Sequence, residues 1–257
     1  MPAAAAIRLQ VETTLAKRVP AALTLKIKQA PELFSTGIHE VDAMLGGGIP
    51  RGSISEIAGT RSTGKTSFAF STIAAITQSG AACAWVDVGD ALSPESAAAA
   101  DIVLKRLLWL RMSAGRRQKV TDEPWSRLEQ ALKATDLLLQ AGGFAAIVLD
   151  MSDVLPQFVT RIPLATWYRY RLAAEQARTA LVLLTQTPCA NSCAALALRC
   201  EPAQIPSFSR NGETALFEGQ RYALVRERNR NEGSSFQQKK PSLRAEWIAE
   251  TLWSRVR

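Results

Sequence analysis

The eight residues Gly59-Thr-Arg-Ser-Thr-Gly-Lys-Thr66 constrain this chain more than any other stretch. They follow "GSISEI", a strand-like run, and precede "SFAFSTIAAITQ", a helical one. The spacing Gly-x4-Gly-Lys-Thr is that of a phosphate-binding loop. Its glycines let backbone N–H groups wrap a phosphate, Lys65 can reach the β and γ phosphates, and the Thr66 hydroxyl can ligate Mg²⁺. Gly59, Thr60, Arg61, Ser62, Thr63, Gly64, Lys65, Thr66 and Ser67 are therefore the expected nucleotide contacts, with ATP and Mg²⁺ as the cofactors. Such a loop belongs between a buried strand and a helix N-terminus, which calls for an α/β fold.

The rest of the chain has the matching rhythm. Nearly continuous apolar runs at Ser53–Ala58, Ala82–Val88, Phe144–Asp150 and Ala180–Gln186 read as strands buried on both faces of a parallel sheet. Helical stretches separate them at Lys65–Gln78, over a long stretch within Ser93–Arg111, at Trp125–Ala141 and at Leu164–Arg178. This alternation predicts an open, mostly parallel sheet flanked by helices with right-handed crossovers. Beyond Leu196, "ETALFEGQRYALVRERNR" predicts antiparallel strands at the sheet edge. "AEWIAETLW" reads as a terminal helix that carries Trp247 and Trp253 on nearby faces. Ahead of the core, residues 4 to 17 have helical spacing, so 1–33 is expected to be a helix and arm and 34–257 the main domain.

A phosphate loop needs a carboxylate at the end of a neighbouring strand to hold the metal's water shell, and "FAAIVLD" brings Asp150 there. Lys and Arg exceed Asp and Glu by 31 to 23, a net charge of +8 that attracts a polyanion such as nucleic acid or simply solvates a basic face. No apolar run reaches the length of a membrane span and "MPAAAAIRLQ" lacks the order of a secretory signal, so the expected location is cytoplasmic, with no membrane partner. Cys189, Cys193 and Cys200 cluster, but no Cys-x-x-Cys pair exists and the one histidine, His39, is far away, which argues against zinc.

With these residues in place the chain resembles the RecA family of ATPases. "STGIHEVDAMLGGGIPRGSISEIAGTRSTGKTS" looks like that family's entry into its ATPase core, "CAWVDVGDALSP" like the strand and turn after its first crossover, and "LVLLTQT" like its strand ending in a sensor glutamine, here Gln186. The resemblance spans roughly Phe34 to Arg230. It implies a RecA-like core, ATP bound between neighbouring subunits, homo-oligomers or filaments, and work on DNA in repair and recombination.

The chain departs from the family where hydrolysis is concerned. The family's D-x-E turn carries the glutamate that activates the attacking water, and here the triplet is Asp87-Val88-Gly89. Glycine cannot be a general base, and Asp90, the next residue, is the candidate substitute. The expectation is ATP binding with slow or absent hydrolysis. The two segments that correspond to the family's DNA loops are short, "VLPQFVTRIP" after Asp153 and "TPCANSCAA" after Gln186. Within the first, Arg161 and Phe158 offer either a phosphate contact with a stacking face or ordinary packing.

Short loops make the chain similar to the small RecA-like accessory proteins of bacterial mutagenic repair, the ImuA type, sometimes labelled with the cell-division inhibitor SulA. That similarity implies single-stranded DNA or a recombinase filament as partner, a translesion polymerase as a further one, and a place in the SOS response. "TLAKRVPAALT" looks like the arm of these proteins, with Val19 and Ala22 as docking residues. Arg226, Arg228 and Arg230 alternate along one strand, and the resemblance implies that Arg228 and Arg230 reach the ATP of an adjacent subunit. A solvated, charged edge strand accounts for the same pattern. Arg111, Arg116, Arg117 and Lys119 form a second basic run, read as a DNA-contacting insertion or as a connector. Two rival functions stand beside the first: an active DNA-dependent ATPase recombinase, and a non-catalytic interaction scaffold for a mutagenic polymerase.

Overall fold

The computed structural model describes residues 32–112, 124–204, 219–229 and 243–250, all within one compact unit, Pro31–Arg257. The expected arm with Val19 and Ala22, the basic residues Arg116, Arg117 and Lys119, and Arg230 and Trp253 lie outside the described residues.

In chain order the elements are β1 (Leu33–Phe34), α1 (His39–Leu45), β2 (Ile49–Pro50), β3 (Ile54–Ala58), α2 (Lys65–Gln78), β4 (Cys83–Asp87), α3 (Pro94–Ala99), β5 (Leu107–Arg111), α4 (Pro124–Ala141), β6 (Ala146–Asp150), α5 (Pro156–Val159), α6 (Leu164–Ala177), β7 (Ala180–Thr185), β8 (Ala194–Gln204), β9 (Gly219–Asn229) and β10 (Arg244–Glu250). Eight strands form one sheet in the order β10-β9-β8-β3-β7-β6-β4-β5. From β8 to β5 every neighbouring pair is parallel, and β9 and β10 close the other edge antiparallel. The small pair β1 and β2 is antiparallel. This is the RecA-like architecture anticipated: a mostly parallel sheet, helices beside it, antiparallel strands at one edge.

The central strands β3, β4, β6 and β7 are buried at every position, as their unbroken apolar runs require. Two apolar cores lie around the sheet. One packs α1 and α2 against Trp85, Val148 and Leu184; the other packs α4 and α6 against Ala84, Ile147 and Leu183. Each fully buried side chain of this size stabilises the fold by roughly 1.5–3 kcal/mol. Asp42 fixes the entry into α1, accepting from the Thr36 amide at 2.8 Å, the Thr36 hydroxyl at 2.7 Å and the Ser35 hydroxyl at 2.6 Å.

Two expectations fail. The alanine-rich stretch after Ser93 does not continue as a long helix. The Ser93 hydroxyl caps α3 by accepting from the Ser96 amide at 3.1 Å, and α3 stops at Ala99, with Asp101 in the left-handed region at φ +64° and Ile102 buried behind it. The following residues become the edge strand β5, paired in register with β4. The second failure is "AEWIAE", which is strand β10 rather than helix. Ala245 and Trp247 face inward while Arg244, Glu246 and Ile248 are exposed, a period of two. Trp247 sets its ring 6.3 Å from Phe68 and 5.4 Å from Tyr222, which anchors β10 to the core. No helix among the described residues is long and apolar enough to cross a membrane.

Candidate nucleotide site

Register places the site at the carboxyl ends of the parallel strands. Ala58 pairs with Thr185, Asp150 with Leu184, Asp87 with Asp150, and Arg111 with Asp87, so the chain leaves β3, β7, β6, β4 and β5 along one edge. Open α/β sheets bind ligands outside this edge. The turn from β3 into α2 is the Gly59–Thr66 loop. Gly59 donates its amide to the Thr185 carbonyl at 3.1 Å, which seats the loop against β7. A Cβ on Gly59 would stand 2.7 Å from Thr63 Oγ1 and 3.0 Å from the Cys200 carbonyl, so no side chain fits there. Gly64 sits at φ +85° as the N-cap of α2, and a Cβ there would overlap the Tyr222 ring. Within the loop the Thr63 hydroxyl donates to the Thr60 carbonyl at 2.8 Å.

No side chain caps α2, so its first amides and its positive dipole end face the loop, the arrangement that binds an anion. Lys65 is buried, and its Nζ donates to the Gly59 carbonyl and, at 3.0 Å, to the Thr60 carbonyl. Burial holds its pKa below the ordinary lysine value. A phosphate entering the loop would give this ammonium an anionic partner in place of two carbonyls.

Across the cavity stands Asp150, at 7% exposure, accepting from the Ser152 amide at 3.0 Å. Burial raises its pKa above the usual carboxylate value. A cation beside it would offset that penalty and keep it ionised. Hydroxyl and carboxylate oxygens are also the donors that Mg²⁺ prefers, so Thr66 and Asp150 fit the metal. A cavity of ≈ 240 Å³ is lined by Arg61 through Ser67, Trp85, Ala91, Leu92, Asp150, Ser152, Asp153 and Tyr222. A larger groove of ≈ 1140 Å³ shares Thr66 and Ser67 with it and continues past Phe70, Glu95, Ser96, Trp247 and Ile248.

Asp87 is spent on structure, accepting from the amides of Ala91 at 3.1 Å and Leu92 at 2.9 Å. Asp90, at φ +55°, forms a two-pronged pair with Arg111 at 2.6 and 2.8 Å, and this pair holds its pKa below the usual value. It is absent from the cavity lining. Gln186 donates from Nε2 to the Ser152 carbonyl at 2.9 Å, which ties the turn after β7 to the turn after β6. Arg226 and Arg228 do not work as a pair. A bulge between them interrupts the strand's alternation. Arg226 is buried and donates to the Met44 carbonyl at 3.2 Å, whereas Arg228 donates to the Asn191 carbonyl. Phe158 packs against the second core with the Arg161 guanidinium 5.6 Å from its ring centre.

Sequence reasoning passed over three residues. Glu56, buried at the centre of β3, accepts from the amides of Cys189 at 2.5 Å and Ala190 at 2.9 Å, pinning the loop after Gln186. A charged residue inside an otherwise apolar strand run is the signal that marks it. Tyr222 covers the loop glycine from β9, and no local pattern announces that. Asp153 pairs with Arg61 at 3.3 Å across the cavity.

A glycine-rich loop opening a helix, a buried lysine and a strand-end carboxylate together define a P-loop nucleotide-binding protein. The comparisons give the particular family. The family model for the RecA N-terminal domain matches residues 4–160, more than half the chain, and the chain belongs to that family. Protein RecA of Rhizobium leguminosarum bv. trifolii (strain WSM2304) is 32% identical over 170 residues, covering 60% of this chain and 43% of the relative. Protein RecA of Acinetobacter baumannii (strain AYE) is 34% identical over 142 residues, covering 55% and 37%. The match thus spans less than half the length of these curated relatives. Among solved structures, the RadB recombinase shares the fold with a TM-score of 0.55 at 19% identity, covering 84% of this chain and 96% of its own.

Proposed function

We propose that the chain is an ATP-binding protein of DNA repair and recombination that acts with single-stranded DNA or a recombinase filament and hydrolyses ATP slowly. The observation that carries the proposal is the cavity itself, lined together by Lys65, Thr66 and Asp150 at the carboxyl edge of a RecA-family sheet. Residues Gly59–Ser67 would hold the triphosphate, and the adjoining groove, with Phe70, Trp247 and Ile248 beside Glu95 and Ser96, would take the nucleoside. Thr66 and Asp150 would hold Mg²⁺, which neutralises phosphate charge when bound. Gln186 would sense the γ-phosphate, and its bond to the Ser152 carbonyl, between the turns after β6 and β7, supports that reading.

Two features favour an accessory role of the mutagenic-repair type over strand exchange. The segment between β6 and α6 holds one short helix, α5, and the segment after β7 is fastened by Glu56. Short, fastened loops leave less surface to wrap DNA. Assembly through the nucleotide face, with Arg228 and Arg230 meeting a neighbour's phosphate, and recruitment of a translesion polymerase belong to the same proposal, as does a cytoplasmic place of work. Fluorescence anisotropy with a labelled single-stranded oligonucleotide, at several salt concentrations with and without ATP, tests it. The expected result is affinity that rises with ATP and falls steeply with salt. No affinity under any nucleotide condition would contradict the DNA role and favour the scaffold alternative.

A further inference from the structure

We propose that Asp153 is the carboxylate that activates the attacking water, standing in space that the bare Cα of Gly89 leaves open. The proposal deepens the nucleotide reading above and rests on it.

The carboxylates near the cavity have separate employments. Asp87 is fully buried and accepts from the Ala91 and Leu92 amides and, at 3.3 Å, from the Trp109 indole. Asp90 is turned to Arg111 and does not line the cavity. Asp150 is buried and suited to the cation. Asp153 lines the same cavity as Lys65 and Thr66, and its side chain is 44% exposed, so water can reach it. A general base must have such access to a water facing the phosphate.

Gly89 explains how Asp153 comes to stand there. A Cβ built on Gly89 would lie 3.1 Å from Asp153 Oδ2 and 3.2 Å from Asp153 Cβ. A side chain growing from position 89 and the present Asp153 therefore compete for one volume. The turn after β4 contributes no side chain at this point, and the turn after β6 supplies a carboxylate from the opposite side. Arg61, within the phosphate loop, reaches Asp153 Oδ1 at 3.3 Å and serves as a positioning residue that aims the carboxylate across the cavity.

The step balances without a further reactant. Asp153 accepts one proton from water as the water oxygen bonds to the γ-phosphorus. The bond from that phosphorus to the β,γ-bridging oxygen breaks, and its electron pair stays on the β-phosphate. ADP and inorganic phosphate result, and Asp153 returns its proton to solvent.

The test measures phosphate release and ATP binding in parallel on the full chain, with and without a single-stranded oligonucleotide. The panel is the wild type, Asp153→Asn, Asp90→Asn, Asp153→Ala and the double variant Asp153→Ala with Gly89→Glu. Asp153→Asn is expected to bind ATP as the wild type does and to lose turnover by about 100-fold or more, the scale of a general base. Gly89→Glu is expected to restore turnover in the Asp153→Ala background, because the glutamate enters the vacated volume. A merely structural Asp153 would not give that rescue. Unchanged turnover in Asp153→Asn, or loss in Asp90→Asn alone, overturns the proposal. A wild type that binds ATP and never releases phosphate overturns it too, and leaves the nucleotide reading standing. A wild type that does not bind ATP overturns the nucleotide reading beneath it.

Discussion

One wall of the cavity is the unbroken stretch Arg61–Ser67, whereas the other is gathered from Trp85 on β4, the turns after β4 and β6, and Tyr222 on β9. The contiguous wall depends on local geometry: a glycine with no room for Cβ, a glycine in the left-handed region, and a lysine one residue later. The gathered wall depends on Asp87 holding its own turn through Ala91 and Leu92, and on ties between separate elements, Gln186 to Ser152 and Arg61 to Asp153. A contiguous device admits few substitutions. A gathered one can pass a task from one turn to its neighbour, which is how Gly89 and Asp153 are explained together.

The largest effect that sharpens this contrast is expected at Gly64. Its φ of +85° and the overlap of any Cβ with Tyr222 make Gly64→Ala cost about 3 kcal/mol in urea unfolding. Part of that penalty should vanish when Tyr222→Ala is the background, leaving about 1 kcal/mol of backbone strain, and an equal penalty in both backgrounds would break the account. Next comes Glu56→Gln, which keeps an acceptor for the Cys189 and Ala190 amides but leaves a buried amide donor without a partner. A loss of about 1–2 kcal/mol is expected in the same assay, together with faster hydrogen exchange at Cys189 and Ala190.

Gln186→Ala removes one tie between two turns and is expected to cost about 1 kcal/mol while weakening the dependence of DNA binding on ATP. The smallest effect belongs to Asp90→Asn, since its pair with Arg111 lies at the surface, where solvent screens it. Because the folded pKa of Asp90 is lowered, that contribution is present above its unfolded value and disappears as pH falls through the folded one. Stability curves of wild type and Asp90→Asn should therefore converge in strong acid. Divergence there would contradict the assignment.

The contrast also tells what the sequence discloses. The cradle and the four central strands were legible because each is a local pattern, a spaced glycine motif or a run buried on both faces. Asp150 was legible because it ends such a run. Asp153 and Tyr222 were not, since their importance comes from what stands opposite them in space, Gly89 and Gly64. The end of α3 was missed because the alanine run favours helix, while the buried Ile102 and the left-handed Asp101 turn the chain into β5. In β10 the alternation of Ala245 and Trp247 with exposed neighbours was present, and joining "AEWIAE" to the residues after it as one helix obscured it.

Whether Gly59–Thr66 is a working phosphate cradle is decided by calorimetric titration of ATP with Mg²⁺ into wild type and Lys65→Ala. Removing the buried ammonium should weaken ATP binding by roughly 10-fold to 100-fold, the worth of a charged hydrogen bond. Equal affinity in the two proteins would contradict the account.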